Sequence, residues 1–394
     1  MEALPRNARS GGKLRLLWLI DSLTMGGAES LVLPFAAAAG RHGYELSVCC
    51  LKTIDGNPIE SELRSAGVKV WNLGARNLRD RSAFRRLIGH VRSNAVDLIH
   101  SHLTYASIWG SLISRATGIP LVATIHVAPP ARVDRSRLLD RLMRLSLHHW
   151  SRQVIAVSHA LRKQYLRTGG LDAAKITVVH NGIDVRAYDV EREQRRLRAR
   201  RELGYSNEDR VITTVSVLRP GKGIDVLIEA VASLARTIPA ARLLVVGDGP
   251  CRDDWTNLAA ERGIGEIVRW SGHRRDVPAL LHASDLFVLP SLGDAFPTVL
   301  LEAMAARLPL VASAVGGIVE IVEPERTGML VPPGEPAALA AAIAELLADP
   351  ERMRRMGIAG RELVERQFSI DQWIERLDRV YRHATSGDAQ RESA

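Results

Sequence analysis

The stretch from Asp285 to Glu320, DLFVLPSLGDAFPTVLLEAMAARLPLVASAVGGIVE, constrains the fold of this chain more than any other. Leu286 to Leu289 is a short apolar run closed by Pro290, the pattern of a strand buried on both faces of a parallel sheet, although a buried helical segment has the same periodicity. The loop SLGDAF follows. From Pro297 the spacing turns helical, with proline at a first helical position and Arg307 in the last turn before Pro309 stops the helix. Leu310 to Val315 reads as the next strand, and Gly316 and Gly317 turn the chain into a further helix from near Ile318. Such a strand, helix, strand unit puts its loops at the carboxyl ends of parallel strands, where open α/β sheets bind ligands.

Two carboxylates carry the chemistry of this stretch: Asp294 in the loop and Glu302 on the helix. Thr298 lies one turn before Glu302, hence on the same face. The backbone N–H groups of the helix start, at Thr298 and Val299, suit a phosphate or a polarised hydroxyl. Glu302 can then accept hydrogen bonds from a vicinal diol such as a ribose. The structural alternative stands beside this reading: Glu302 caps a core contact and Asp294 is an ordinary turn residue.

The 394 residues are enough for two domains with their own cores, and the three cysteines, Cys49, Cys50 and Cys251, form neither a metal-ligand spacing nor a disulfide framework. They fit a reducing compartment. The apolar run near the amino terminus is too short for a membrane span of about 20 residues, and no signal-peptide pattern precedes it. The net charge of +9 admits nucleic acid, an anionic membrane surface or phosphorylated substrates as partners. No nucleic-acid motif accompanies it.

Strands are expected at Leu14 to Ile20, Tyr44 to Leu51, Val68 to Leu73, Asp97 to Ser101, Leu121 to Ile125 and Val154 to Val157, with helices between several of them. The first strand runs into Met25-Gly26-Gly27-Ala28-Glu29, where glycine lets the backbone approach a ligand. His102 and His126 follow strand ends. Arg132 to Trp150 is an amphipathic, arginine-rich segment that suits either an anionic lipid surface or a solvated helix with its leucines in the core. Glu191 to Glu202, EREQRRLRARRE, has no apolar stripe and reads as an exposed connector. The second half opens with the strand Val211 to Leu218, and Arg219-Pro220-Gly221-Lys222-Gly223 then precedes a helix from Ile224: two cations, two glycines and a helix start, a diphosphate cradle on physical grounds. Strands Leu243 to Val246, Ile267 to Trp270 and Thr327 to Pro333, and helices Glu335 to Leu347 and Gln367 to His383, complete it.

Asp294 and Glu302, separated by seven residues and followed by Glu302-Ala303-Met304-Ala305 and a proline-containing strand, resemble the signature of the retaining family 4 glycosyltransferases. Asp294 stands where the family usually has Glu, and Pro297 where many members have Gly. Met25 to Glu29 resembles the family's glycine-rich loop, which brings in Gly27. Thr124-Ile125-His126 resembles its TxH motif, whose imidazole contacts the transferred sugar. Asn181-Gly182-Ile183-Asp184 and Gly247-Asp248-Gly249-Pro250 resemble its NGxD and GDGP turns, and the loop of Arg274 is where relatives read the nucleobase, largely through main chain. Lys222 matches the family's lysine, whereas Val217 occupies the usual arginine position and Arg219 lies two residues later.

The resemblance covers residues 14 to 383 and implies an α/β protein of the GT-B fold, two doubly wound Rossmann-like domains facing each other across a cleft. The expected division is an acceptor domain at 1–190, joined by the C-terminal helix 367–385, a linker at 191–207 and a nucleotide-sugar domain at 208–366. The implied enzyme is a retaining, metal-independent hexosyltransferase moving a sugar from a UDP- or GDP-sugar to an acceptor hydroxyl in glycan, glycolipid or polysaccharide biosynthesis. His126, Asp294, Arg219 and Lys222 carry its catalytic roles; Gly27, Arg274, Thr298, Val299 and Glu302 bind the donor. No cofactor is expected, because the nucleoside diphosphate sugar is a substrate. A glycan or lipid-linked acceptor and an anionic membrane surface are the further expected partners, with a cytoplasmic protein peripheral at the inner face of the membrane. An epimerase of the same fold and a sugar-nucleotide-binding protein without turnover are the alternatives.

Overall fold

The computed structural model describes residues 12–23, 26–54, 56–129, 135–189 and 192–386. By its internal contacts the chain divides into two compact units: Met1–Ile155 with Leu166–Thr177 and Ile374–Ala394, and Ala156–Tyr165 with Val178–Trp373.

The first unit is built on strands β1 (Leu14–Ile20), β2 (Tyr44–Cys50), β3 (Lys69–Asn72), β4 (Leu98–His102), β5 (Leu121–Ile125), β6 (Gln153–Ala156) and β7 (Ile176–Val178). Their order is β3-β2-β1-β4-β5-β6-β7, and β1 pairs in parallel with both β2 and β4. Leu16 to Ile20 are buried without exception, as a central strand covered on both faces requires. The strand order reverses between β1 and β4, so their carboxyl ends form the unit's topological switch point. There Leu103 heads the helix Thr104–Thr117 at φ 71 with no side chain able to cap it. Asp21, at the end of β1, supplies the cap instead, accepting the Ala106 N–H at 2.6 Å and the Tyr105 N–H at 3.3 Å. Burial still outweighs these bonds and pushes its carboxyl up to about 6.

The second unit has six strands, β8 (Arg210–Val215), β9 (Ala241–Val246), β10 (Val268–Trp270), β11 (Leu286–Leu289), β12 (Leu310–Ser313) and β13 (Gly328–Val331). Their order is β10-β9-β8-β11-β12-β13 and all pairs are parallel. This repeats the winding of the first unit, with the reversal between β8 and β11. Leu227, Val231, Leu243, Val288, Val311 and Ile343 are among the residues of its core.

Three elements differ from their expected form. The helix expected from Ile318 is a short 3-10 turn, Gly316–Glu320. Three of the leucines of the helix Arg135–Trp150, the ones at helical spacing, do not face the core: Leu138, Leu142 and Leu145 are 58%, 45% and 41% exposed, while Met143, Arg144 and Leu147 are buried. The helix Arg192–Leu203 is no exposed connector, since Ala199, Arg200 and Leu203 are buried. The Arg200 guanidinium donates to Asp285 at 2.6 Å, to the Ala283 carbonyl at 3.0 Å and to the Ser206 carbonyl at 2.7 Å. In a helix of low apolar content, this ion pair and its carbonyl bonds supply the anchorage that an apolar stripe normally provides.

Candidate active site

In the second unit the loops after β8, β11 and β12 are knitted together at the switch point. Gly223, at φ 68, starts the helix Ile224–Leu234, and a Cβ there would lie 2.0 Å from the Pro290 carbonyl oxygen. Only glycine lets these two loops approach so closely. The Leu292 N–H donates to the Gly221 carbonyl at 2.9 Å and the Gly317 N–H to the Asp294 carbonyl at 3.0 Å. Gly316, at φ 52, would place a Cβ 2.0 Å from that same Asp294 oxygen. The GDGP turn buttresses the cradle from behind: Leu218 N–H donates to the Asp248 carbonyl, and Cys251 N–H to the Leu218 carbonyl, each at 2.9 Å.

Within this frame the Lys222 ammonium donates to Asp294 Oδ2 at 2.6 Å, and both side chains are only about one-sixth exposed, at 15% and 16%. The Ser291 hydroxyl donates to the same oxygen at 3.3 Å. The cation and the carboxylate therefore hold each other at a fixed point beside the helix Thr298–Ala305. Pro297 is that helix's N-cap residue, one position earlier than expected, and it offers no side-chain cap. The first intrahelical bond of this kind is Leu300 N–H to Pro297 O at 3.1 Å, so the N–H groups of Thr298 and Val299 remain available to an anion.

Glu302 lies one turn further along, half-buried and with its carboxyl pushed upward by burial. The Tyr188 hydroxyl donates to its Oε2 at 3.4 Å. Tyr188 closes the 3-10 turn Val185–Tyr188, where Asp184 accepts the Arg186 N–H. The NGID turn thus delivers a buried phenol to Glu302, a role that spacing gave no hint of. Arg219 is exposed, and among the described residues its guanidinium has no hydrogen-bond or ion-pair partner. Val217, at the position where the family has arginine, is 43% exposed. Arg274 is not free: Asp276 holds it at 2.7 and 2.6 Å in a two-pronged pair.

Glu320 is a second residue that sequence reasoning left without a role. One of its oxygens accepts the Ala160 N–H at 2.8 Å, and the other the His159 N–H and the His180 Nε2, each at 2.9 Å. These bonds lower its carboxyl below the usual value although burial opposes them. His180 in turn stacks on Phe296 of the loop after β11, ring centroids 4.8 Å apart. His159, His180 and Glu320 offer ligand atoms within 4.8 Å of one another. Both Glu320 oxygens are already engaged by donors, however, so the cluster works as a hydrogen-bonded clamp on the loops.

In the first unit, His126 follows β5 and its Nε2 lies 2.9 Å from Nδ1 of His102, at the end of β4. The Trp18 indole stacks on the His102 ring at 3.8 Å, while His100 spans the Thr124 hydroxyl at 2.7 Å and the Tyr381 hydroxyl at 2.6 Å. Burial drives all three imidazoles toward the neutral form, His100 down to about 3, His126 down to about 4 and His102 well below its ordinary value. Gly27 opens the short helix Gly27–Ser30 after β1; Met25 of the same motif lies outside the described residues. The site residues thus fall into two groups. Gly27 and His126 belong to the first unit, and Arg219, Lys222, Arg274, Asp294, Thr298, Val299 and Glu302 to the second.

Two doubly wound parallel sheets, each with a glycine-bearing loop at its switch point, are the architecture of the GT-B fold. Residues 195–363 match the family Glycosyl transferases group 1 and residues 25–187 match Glycosyltransferase Family 4. The chain belongs to these family 4, group 1 glycosyltransferases. It is 33% identical over 327 residues to the D-inositol 3-phosphate glycosyltransferase of Salinispora tropica, covering 76% of this chain and 67% of that protein. It is 29% identical over 341 residues to the alpha-D-kanosaminyltransferase of Streptomyces kanamyceticus, covering 82% and 86%. Among solved structures, Anabaena Alr3699/HepE in complex with UDP-glucose superposes with a TM-score of 0.83 at 24% identity, covering 93% of this chain and 99% of that one. That likeness establishes the shared fold.

Proposed function

We propose that this glycosyltransferase takes its sugar from a nucleoside diphosphate sugar, a UDP- or GDP-hexose, and places it on an acceptor hydroxyl with retention and without a metal ion. The observation that carries the reading is the Lys222–Asp294 pair fixed beside the uncapped helix start at Thr298 and Val299, one turn from Glu302. This sequence of groups matches the donor in order: cation and N–H groups for the diphosphate, carboxylate for the ribose diol, carboxylate for the sugar hydroxyls. Arg219 supplies a second cation from the loop, in place of the arginine that Val217 replaces.

In the reaction the bond from the anomeric carbon to the diphosphate oxygen breaks and a bond from the acceptor oxygen forms on the same face. The acceptor proton passes to the departing diphosphate oxygen. Lys222, Arg219 and the helix start stabilise the charge growing on that oxygen, the kind of contribution that dominates such catalysis. His126, neutral through burial, orients the sugar without adding charge. The Anabaena structure, a complex with UDP-glucose, agrees with a donor of this class.

The test is a panel of UDP- and GDP-sugars, read as release of nucleoside diphosphate with and without a chelator and as the anomeric configuration of the product by NMR. Retention with undiminished rate in the chelator is expected. An altered sugar on intact nucleotide would make the protein an epimerase. Tight binding with no release would make it a sugar-nucleotide-binding protein, in which the Lys222–Asp294 pair is a closed structural bond. Inversion, or loss of rate on chelation, would rule out the same-face, metal-free mechanism.

A further inference from the structure

We infer that His102 is a positioning residue: its Nδ1–H donates to Nε2 of His126 and so holds His126 as the tautomer that carries its proton on Nδ1, where it meets the transferred sugar as a donor. The inference deepens the reading of His126 as a sugar contact and rests on it. β4 and β5 run side by side with His100 opposite Val122 and His102 opposite Thr124. Each imidazole reaches two residues beyond its register partner, His100 to the Thr124 hydroxyl at 2.7 Å and His102 to His126 at 2.9 Å. Strand residues two apart share a face, so the four side chains line one face of the sheet at its carboxyl edge. His102 is 1% exposed and Trp18 lies flat against it, ring planes 12° apart, which holds the imidazole in one orientation.

A neutral imidazole has one N–H, so the bridge admits two arrangements. Burial drives both rings to the neutral form. If His126 donated from Nε2, His102 would carry its own proton on its Nε2, which is buried and has no partner among the described residues. That would strand an N–H in the interior, and orphaned donors are the rarest of buried polar groups. If His102 donates instead, its Nε2 is a bare lone pair, the lesser cost. Nε2 of His126 is then the acceptor, and the proton of His126 must sit on Nδ1. His126 is half-buried, and among the described residues this Nδ1 has no partner of its own. It is the ring atom left for a ligand, and it offers a donor to a sugar hydroxyl oxygen. With the opposite tautomer the same atom would be an acceptor, and the hydroxyl would have to turn its proton toward it.

Nitrogen–proton multiple-bond correlation spectra of the full chain, with isotopically labelled histidine, read the tautomers directly, since a protonated ring nitrogen resonates far from a bare one. His126, assigned by its loss in His126→Ala, is expected as the Nδ1–H form, the minority form of a free imidazole. Three variants read the role. His102→Asn sets an amide N–H near the place of Nδ1, His102→Gln sets one near the place of Nε2, and His102→Phe keeps a ring against Trp18 with no donor. His102→Phe should slow release of UDP or GDP, from whichever hexose donor the protein uses fastest, by about ten- to a hundredfold, with affinity for the free nucleoside diphosphate unchanged. His102→Asn should restore most of that rate and His102→Gln little of it. An Nε2–H signal for His126 in the wild type, a wild-type rate in His102→Phe, equal recovery by Asn and Gln, or a matching loss of nucleoside diphosphate affinity overturns the inference. A wild-type rate in His126→Ala would instead overturn the sugar contact beneath it, while the tautomer spectrum still tests the bridge on its own.

Discussion

The helices Arg135–Trp150 and Arg192–Leu203 look alike in sequence, both short and crowded with arginine, yet they are held in place by different means. In the second, the inward face sets an arginine between Ala199 and Leu203: Arg200 is 2% exposed and shares Asp285 with Arg196. In the first, the inward face is apolar and small, with one arginine, Arg144, tucked against Asp140 at 2.9 Å and against the carbonyls of Thr168 and Gly169. The leucines that should have formed a core stripe face out instead. Arginine density therefore says nothing about direction. What decides it is whether a carboxylate and unsatisfied carbonyls wait at one point beneath the helix, because a guanidinium with five donors can be buried only where its donors find acceptors.

The largest effect expected from breaking this comparison is at Arg200. Arg200→Ala leaves the buried carbonyls of Ala283 and Ser206 without their donor and Asp285 with Arg196 as its remaining cation, a loss of about 2 to 4 kcal/mol in a denaturant titration. Asp285→Asn combined with it should deepen the loss, since Arg196 then lacks its carboxylate as well. A cost below about 1 kcal/mol would show that the helix is held by its apolar contacts after all. Arg198, 81% exposed and, among the described residues, paired with Glu202 alone, serves as the control and should tolerate alanine.

Acid should separate the units that carry the two helices. In the first, burial holds His100 at about 3, His126 at about 4, and His102 well below its ordinary value of 6.5. Unfolded, these imidazoles take up protons near 6.5; folded, they do not until far lower, so the unfolded state binds more protons across that window. Stability that is complete above pH 6.5 is lost as the pH falls toward 4, by roughly 2 to 4 kcal/mol between pH 7 and pH 5 for the coupled cluster. Asp21 acts in the opposite sense: its raised value favours folding at low pH and offsets part of the loss as the pH falls through about 6. Hydrogen exchange followed by mass spectrometry should show Arg135–Trp150 losing protection at a higher pH than Arg192–Leu203. Simultaneous loss in both would mean that the imidazole cluster does not set the acid limit.

Arg144→Met comes next, at about 2 to 3 kcal/mol, because Asp140 is 7% exposed but the methionine stem still fills the space. A double-mutant cycle with Asp140→Asn should show coupling well above that of an exposed pair. Additive losses would reduce Arg144 to a packing residue.

Much of this was legible in the sequence wherever the physics is local. Leu14–Ile20, Leu121–Ile125 and Leu286–Leu289 are strands with the bounds their apolar runs imply, whereas the helix expected to hold Arg307 in its last turn before Pro309 ends at Ala305, with Arg307 turning the chain at φ 59. The helix Thr104–Thr117 was not, since its buried face includes Ser107, Gly110 and Ser111, which break the apolar period. Pro350–Gln367 was hidden in the same way: its inner side mixes Met356, Leu363 and Val364 with Gly357, Gly360 and Arg361, which break the apolar period. At the site, the residue types of Lys222, Asp294 and Glu302 could be chosen from spacing. Their partners could not, because Lys222 meets Asp294 across 72 residues and Tyr188 meets Glu302 across 114. Glu320 was visible in the sequence without a function, for the helix start that it caps lies some 160 residues away.

The smallest expected effect sharpens the comparison most. If Leu142 and Leu145 are outside every core, replacing each by serine removes no intramolecular contact of consequence, and the folding free energy should move by no more than about 0.5 kcal/mol, with the denaturant slope unchanged. Serine costs a few tenths of a kcal/mol in helix propensity relative to leucine, which fills most of that allowance. A buried leucine emptied in the same way would cost about 2 to 5 kcal/mol, so the two placements are separated by several times the error of the measurement. A loss above about 1.5 kcal/mol at either position would mean that another part of the chain covers the stripe in solution. The helix would then join Arg192–Leu203 as an element anchored on both its charged and its apolar residues, and the contrast between them would close.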